Sequence, residues 1–286
     1  MSESDHHSPP PVPYLDKEFL GTPDARPLRI LSEYLEPAAR LRRYKVRDTI
    51  VFFGSARSVA PEVAAKIKEE VEDKINQSAA LTTELEAERT RADQLIKLAR
   101  YYDDAMELAR RITEWSKGLT TGRHFIICSG GSGGMMEAAN RGASIARGKT
   151  IGLNINLPFE QKINPYVSRE FIFNFHYFFM RKLWFVYPAK ALVVFPGGFG
   201  TMDEMFEVLT LIQTRMPSKT MPVVLFGKEF WDDIIDFDAL VRWGVVSPQD
   251  LDIFYKTDTV DDAFQYLTAR LEELYFKKGL EEVKLT

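Results

Sequence analysis

Three short apolar runs that each stop at a glycine-containing loop constrain this chain more than any other feature. They are Thr49-Ile-Val-Phe-Phe-Gly-Ser-Ala-Arg57, His124-Phe-Ile-Ile-Cys-Ser-Gly-Gly131 and Ala191-Leu-Val-Val-Phe-Pro-Gly-Gly198. Each is rich in β-branched and aromatic residues without polar alternation, the pattern of a strand buried on both faces. Thr150-Ile-Gly-Leu-Asn-Ile155 and Met221-Pro-Val-Val-Leu-Phe-Gly227 repeat it, and Glu170-Phe-Ile-Phe173 is a weaker version. Helical periodicity occupies residues 28–44, 99–117, 135–147, 176–187, 202–213, 230–243 and 258–274. Strands alternating with helices predict an α/β fold whose parallel sheet carries helices on both faces. Ligands of such sheets bind beyond the carboxyl ends of the strands, so the glycine loops should converge on one crevice.

The length of 286 residues allows one large domain. Residues 1–27 read as a flexible tail and residues 28–286 as a single domain. Residues 61–98 interrupt it, with dense mixed charge and no strand pattern. Val63, Ile67, Val71 and Ile75 form one apolar stripe there, and Leu81, Leu85, Ala92 and Leu95 another. That is a helical hairpin placed between the first strand and its crossover helix. It serves as a partner-binding coiled coil or lies solvated on its own domain.

A net charge of −4 argues against a nucleic-acid-binding surface. The single cysteine, Cys128, excludes an internal disulfide and fits a reducing, cytoplasmic setting. No apolar run is long enough to span a membrane, and the polar N-terminus has no signal core. His6 and His7 stand without further ligands, so no metal site is expected.

Chemistry concentrates in the loops. In Phe195-Pro-Gly-Gly-Phe-Gly-Thr-Met-Asp-Glu204 a buried strand runs through Gly197, Gly198 and Gly200 into a helix expected to start at Thr201, with Thr201 as its cap. Free backbone amides and the helix dipole suit a phosphate there. Thr201 and Glu204 also have capping-box spacing, which offers Glu204 a purely structural role. The second loop, Ser129-Gly-Gly-Ser-Gly-Gly-Met-Met-Glu-Ala-Ala-Asn140, matches neither the dinucleotide fingerprint nor the P-loop. Two such strand ends around one crevice point to one mononucleotide held from two sides. In Asn174-Phe-His-Tyr-Phe-Phe-Met-Arg-Lys182, Arg181 and Lys182 interrupt an aromatic helix. Consecutive helical residues diverge by about 100°, so one of the pair at most faces the crevice squarely. Arg181 suits a phosphate or ribose edge through its planar fork, whereas Lys182 is equally well a snorkelling surface cation.

Taken together, Phe53-Gly-Ser-Ala-Arg57, the second glycine loop, Arg181-Lys182 and Pro196-Gly-Gly-Phe-Gly-Thr-Met-Asp-Glu204 resemble the Lonely guy family. Its members are cytokinin riboside 5′-monophosphate phosphoribohydrolases, and bacterial ones are often labelled lysine decarboxylases. Asn154-Ile-Asn-Leu-Pro-Phe-Glu-Gln161 and Leu209-Thr-Leu-Ile-Gln213 resemble its longer bacterial branch. The resemblance implies a Rossmann-like, doubly wound homodimer or higher homo-oligomer without cofactor. It would cleave a nucleoside 5′-monophosphate, AMP or a cytokinin riboside monophosphate, to free base and ribose 5-phosphate. By motif position Arg181 and Glu204 match the catalytic pair, and Gly197, Gly198, Gly200 and Thr201 match the phosphate loop. Ser55, Arg57, Gly130, Gly131, Met136, Glu137 and Lys182 are further candidates for substrate contact.

This chemistry suits the residues. Glycosidic cleavage builds positive charge on the ribose, which a neighbouring carboxylate stabilises while activating water. No residue stands out as proton donor to the base. No lysine sits in a setting that suggests a pyridoxal-phosphate Schiff base; Lys190 reads as a charge at a strand end. The competing reading is a non-catalytic nucleotide binder or cofactor carrier, with the hairpin as its partner surface.

Overall fold

The computed structural model describes residues 10–78, 80–119, 124–157, 162–214 and 221–276. His6, His7 and residues 158–161 of the Asn154–Gln161 motif lie outside them. The elements in chain order are α1 (Lys17–Gly21), α2 (Arg26–Arg43), β1 (Thr49–Phe53), α3 (Pro61–Gln77) and α4 (Thr83–Lys117). β2 (Ile126–Ser129), α5 (Met135–Ile145), β3 (Thr150–Ile155), β4 (Ile172–Phe175), α6 (Phe178–Val186) and β5 (Ala189–Val194) follow. The chain continues with α7 (Phe199–Gln213), β6 (Val223–Phe226), α8 (Lys228–Ile234), α9 (Phe237–Arg242), β7 (Phe254–Thr257) and α10 (Val260–Tyr275).

The strands form one all-parallel sheet in the order β4-β3-β2-β1-β5-β6-β7. Side chains alternate across a strand, and here both faces are buried. Ile50 and Phe52 of β1 pack with Leu108, Ala109, Ala138 and Leu267 from α4, α5 and α10. Val51 and Phe53 pack with Trp184, Phe185, Met205 and Val208 from α6 and α7 on the other face. The chain winds outward from β1 to β4, returns to β5 beside β1, and then winds the other way. The switch point therefore lies between β1 and β5, where a crevice opens at the strand ends. This is the Rossmann-like, doubly wound α/β fold.

Several elements differ from expectation. The segment read as tail contains α1, whose first amides are capped by Asp16: Glu18 and Phe19 donate to its carboxylate at 3.0 and 3.1 Å. The apolar stripe of α2 is only partly used: Leu41 is buried, while Leu28, Leu31 and Leu35 are about half exposed. The weak strand lies two residues later than expected, at β4. The expected 230–243 helix is split at Asp236, whose side chain accepts from Ala239 N at 2.8 Å and starts α9. β7 has no counterpart in the sequence reading.

The 61–98 segment is a helical hairpin, but its second arm and the crossover helix are one element, α4. Nothing between Thr83 and Lys117 is glycine or proline, so no residue type there ends a helix. α4 meets the sheet where the Tyr101 ring packs edge-on to Phe226, and ends where Trp115 stacks on Phe125, just before β2. Residues 83–100 form about 27 Å of helix ahead of Tyr101, at 1.5 Å per residue. Ala64, Val71 and Ala92 are buried in the hairpin. Its flanks carry exposed pairs, Lys68–Asp93, Lys74–Glu88 and Arg89–Glu72, which add little stability.

Candidate active site

Three loops meet at the switch point. Ser55, after β1, donates its amide to the Pro196 carbonyl at 2.9 Å, and its own carbonyl accepts from Met135 N at 3.0 Å. The β1 loop is thereby fastened to both glycine loops. Glycine is required at Gly134, with φ +70°, where a Cβ would fall 2.2 Å from the Ser55 carbonyl oxygen. Arg57 is exposed at the rim, and its amide donates to Ser55 Oγ at 3.1 Å.

A buried polar network holds the β2 loop. Ser129 Oγ donates to Asn140 Oδ1 at 2.8 Å and accepts from Gly131 N at 3.1 Å. Asn164 Nδ2 donates to Ser132 O and to Asn140 Oδ1, both at 2.9 Å. Gly131 sits at φ +75° against Gly152. Met136 borders Gly130, whereas Glu137 is engaged elsewhere: its carboxylate accepts from Tyr102 Oη at 2.9 Å. Burial pushes the Tyr102 phenol up to about 12, so it remains a donor.

The β5 loop corrects one expectation. α7 begins at Phe199 with Gly198 as its cap, so Thr201 is the third helical residue and caps nothing. Glu204 lies three residues further along, out of reach of a capping box, and the structural role that spacing offered is absent. The amides of Phe199, Gly200 and Thr201 open the helix without intrahelical acceptors. The buried Thr201 hydroxyl closes against Gly197, where a Cβ would fall 2.2 Å from Oγ1. The loop therefore presents unobstructed amides, with Phe199 beside them 93% exposed.

Arg181 and Glu204 lie close enough at this crevice for each to act on the other's charge. Arg181 Nε donates to the Leu153 carbonyl at 2.9 Å, and the guanidinium lies 5.1 Å from the Phe185 ring centre. A Cβ on Gly130 would come within 2.7 Å of Arg181 Nη2, so glycine there makes room for the fork. Burial lowers the Arg181 pKa and Glu204 opposes it. Glu204 is buried, and no side chain of the described residues makes a hydrogen bond or close ion pair with it. Burial raises its carboxyl to about 7, against the opposing pull of Arg181 and Lys182. A carboxylate held near neutrality beside a buried guanidinium is suited to proton transfer.

Lys182 takes another path. Its ammonium lies 2.9 Å from Asp203 and 3.1 Å from Glu207 on α7. These acidic partners were absent from the sequence reading, although their i, i+4 spacing marks one helix face. Lys190, expected as an end charge, is buried at the amino end of β5, the opposite end of the strands from the crevice, with Nζ 4.5 Å from the Tyr275 ring centre. The described residues contain no cluster of His, Cys, Asp and Glu able to hold a metal ion. No helix among them is long and apolar enough to cross a membrane.

The family model described as possible lysine decarboxylase matches residues 136–267. A probable cytokinin riboside 5′-monophosphate phosphoribohydrolase of Oryza sativa subsp. japonica is 30% identical over 181 residues, 62% of this chain and 67% of that protein. A cytokinin riboside 5′-monophosphate phosphoribohydrolase of Arabidopsis thaliana is 26% identical over 173 residues, 59% of this chain and 71% of its own. The structure of a molybdenum cofactor binding protein from Rippkaea orientalis aligns with a TM-score of 0.45 and 15% identity, covering 79% of this chain and 98% of that one. The chain belongs to the Lonely guy family, a family of hydrolases whose relatives here bear the name cytokinin riboside 5′-monophosphate phosphoribohydrolase.

Proposed function

We propose that the protein hydrolyses the N-glycosidic bond of a nucleoside 5′-monophosphate, AMP or a cytokinin riboside monophosphate, to free base and ribose 5-phosphate. The observation that carries this is the buried Glu204 carboxyl, raised to about 7 and close to Arg181 beside an open helix N-terminus. In this reading the amides after Gly197 and Gly198 and the Thr201 hydroxyl bind the phosphate. Arg181 orients the ribose or neutralises the phosphate. Glu204, as carboxylate, stabilises the cationic ribose and activates water. Ser55, Arg57, Gly130, Gly131 and Met136 line the rest of the substrate site.

A binder without catalysis has no need of a buried carboxylate that lacks a hydrogen-bond partner among the described residues beside an anion site, which favours the hydrolase over the carrier reading. The reading also takes the protein as a cytoplasmic homodimer or higher homo-oligomer. Exposed Leu31 and Leu35 on α2, with Phe178 and Phe179 on α6, offer apolar surface to a second copy.

The test compares AMP with adenosine. Binding energy from the remote phosphate is used at the reacting bond, so base release from AMP is expected to exceed that from adenosine by about 100-fold or more in kcat/KM. Equal rates would remove the phosphate from the Pro196–Thr201 loop.

A further inference from the structure

We propose that Lys182 is a positioning residue, an ionic clamp that ties α6 to α7 through Asp203 and Glu207 and so sets Arg181 against Glu204. The inference rests on the proposed hydrolase reading and assigns Lys182 a role away from the substrate.

Each helix contributes two consecutive residues. α6 supplies Arg181 and Lys182, and α7 supplies Asp203 and Glu204. Successive side chains on a helix diverge by about 100°. Arg181 therefore goes to Leu153 and the β2 loop, while Lys182 crosses to α7. On α7, Asp203 and Glu207 are four residues apart and present two carboxylates on one face. One ammonium bridges both, at 2.9 and 3.1 Å.

The two arms are unequal. The Asp203 side chain is 59% exposed, whereas those of Lys182 and Glu207 are 20% and 31% exposed. Solvent screens the Asp203 arm. The Glu207 arm is sheltered, and removing either of its partners leaves a half-buried charge without compensation. Burial pulls the Lys182 pKa down, yet the two carboxylates outweigh it, so the ammonium stays charged. The clamp spans the two helices that carry the reacting pair, so any change in it alters the approach of Arg181 to Glu204. Among the described residues the Arg181 side chain makes no hydrogen bond to α7; it donates to the Leu153 carbonyl of β3.

Charge enters as well as geometry. The charged groups facing Glu204 are Arg181 and Lys182 from α6, and Asp203 and Glu207 from α7. The two cations lower its pKa and the two carboxylates raise it. Loss of Lys182 and loss of Glu207 should therefore shift Glu204 in opposite directions, although both open the clamp.

The experiment uses the full chain as wild type, Lys182→Met, Lys182→Arg and Glu207→Gln. Glutamate carboxyl carbons are labelled and titrated by NMR, with the Glu204 resonance identified by its loss in Glu204→Gln. The expected result is an upward move of the Glu204 midpoint in Lys182→Met and a downward move in Glu207→Gln. With AMP, kcat should fall by about 10- to 100-fold in Lys182→Met, the scale of a misplaced reacting group, with KM little changed. It should fall in Glu207→Gln too, and Lys182→Arg should restore most of it. A rise in KM with kcat intact, and loss of the preference for AMP over adenosine, would make Lys182 a substrate ligand and overturn the clamp. A lower Tm with unchanged kcat, whatever the midpoints, would reduce it to a structural bridge. If wild type releases no base, the hydrolase reading fails separately; a displaced Arg181 Nε–H resonance in both Lys182→Met and Glu207→Gln would still uphold the clamp, and an unmoved one would end it.

Discussion

Glu204→Gln is expected to stay folded and to bind the monophosphate while losing turnover by about 10²–10⁴, the usual worth of a positioned acid–base group. Glutamine keeps the size of the side chain but cannot ionise. Because α7 starts at Phe199, Glu204 contributes nothing to the helix cap, so no capping loss accompanies the change. The pH dependence carries a sign. The carboxylate is the working form, so wild-type turnover should rise as pH climbs through about 7. For stability, the folded-state pKa is raised above the ordinary 4.5, so the folded protein holds this proton more tightly than the unfolded chain. The resulting stabilisation is complete below the ordinary carboxylate range and is lost as pH rises through about 7. Glutamine carries no charge to bury, so at about pH 8 the variant should melt no lower than wild type. Paired melts and single-turnover base release on one preparation check both halves. Wild-type turnover in the variant would remove Glu204 from the mechanism.

Arg181→Lys should be nearly as damaging despite its kept charge. The site is shaped for a planar fork: Nε is held by the Leu153 carbonyl, the guanidinium lies over Phe185, and Gly130 leaves room for Nη2. A lysine reaches none of these together, and a buried ammonium loses its proton more readily than a guanidinium. Turnover is expected to fall by about 10²-fold or more, the scale of losing one preorganised charged donor, with the melting curve close to wild type. A near-normal rate would show that only a surface cation is needed there.

The parts of this protein that were legible in its sequence are those set by local pattern. Continuous apolar runs mark β1, β2, β3, β5 and β6 because strands buried on both faces exclude polar residues. β7 is Phe254-Tyr-Lys-Thr, four residues at the sheet edge where burial is incomplete, so no apolar run announces it. The break between α8 and α9 rests on the Asp236 cap, which looks like any charged residue inside an amphipathic run. Glycines and the Arg181–Glu204 pair are visible in the motif strings. The state of that pair is not, since burial of Glu204 and the reach of Lys182 to Asp203 and Glu207 depend on how α6 and α7 lie together. Thr201 is a better cap by residue type than Gly198, so residue type places the start of α7 three residues late. Here the glycine takes that position, and the threonine side chain packs back on Gly197.

The central claim is tested most directly by incubating the wild-type protein with AMP and with an N6-prenylated adenosine monophosphate and separating the products by chromatography. The account predicts free base and ribose 5-phosphate in equal amounts from at least one of them, with none formed by Glu204→Gln on the same timescale. Tight binding of both nucleotides without release of base from either would contradict it and leave a nucleotide-binding protein.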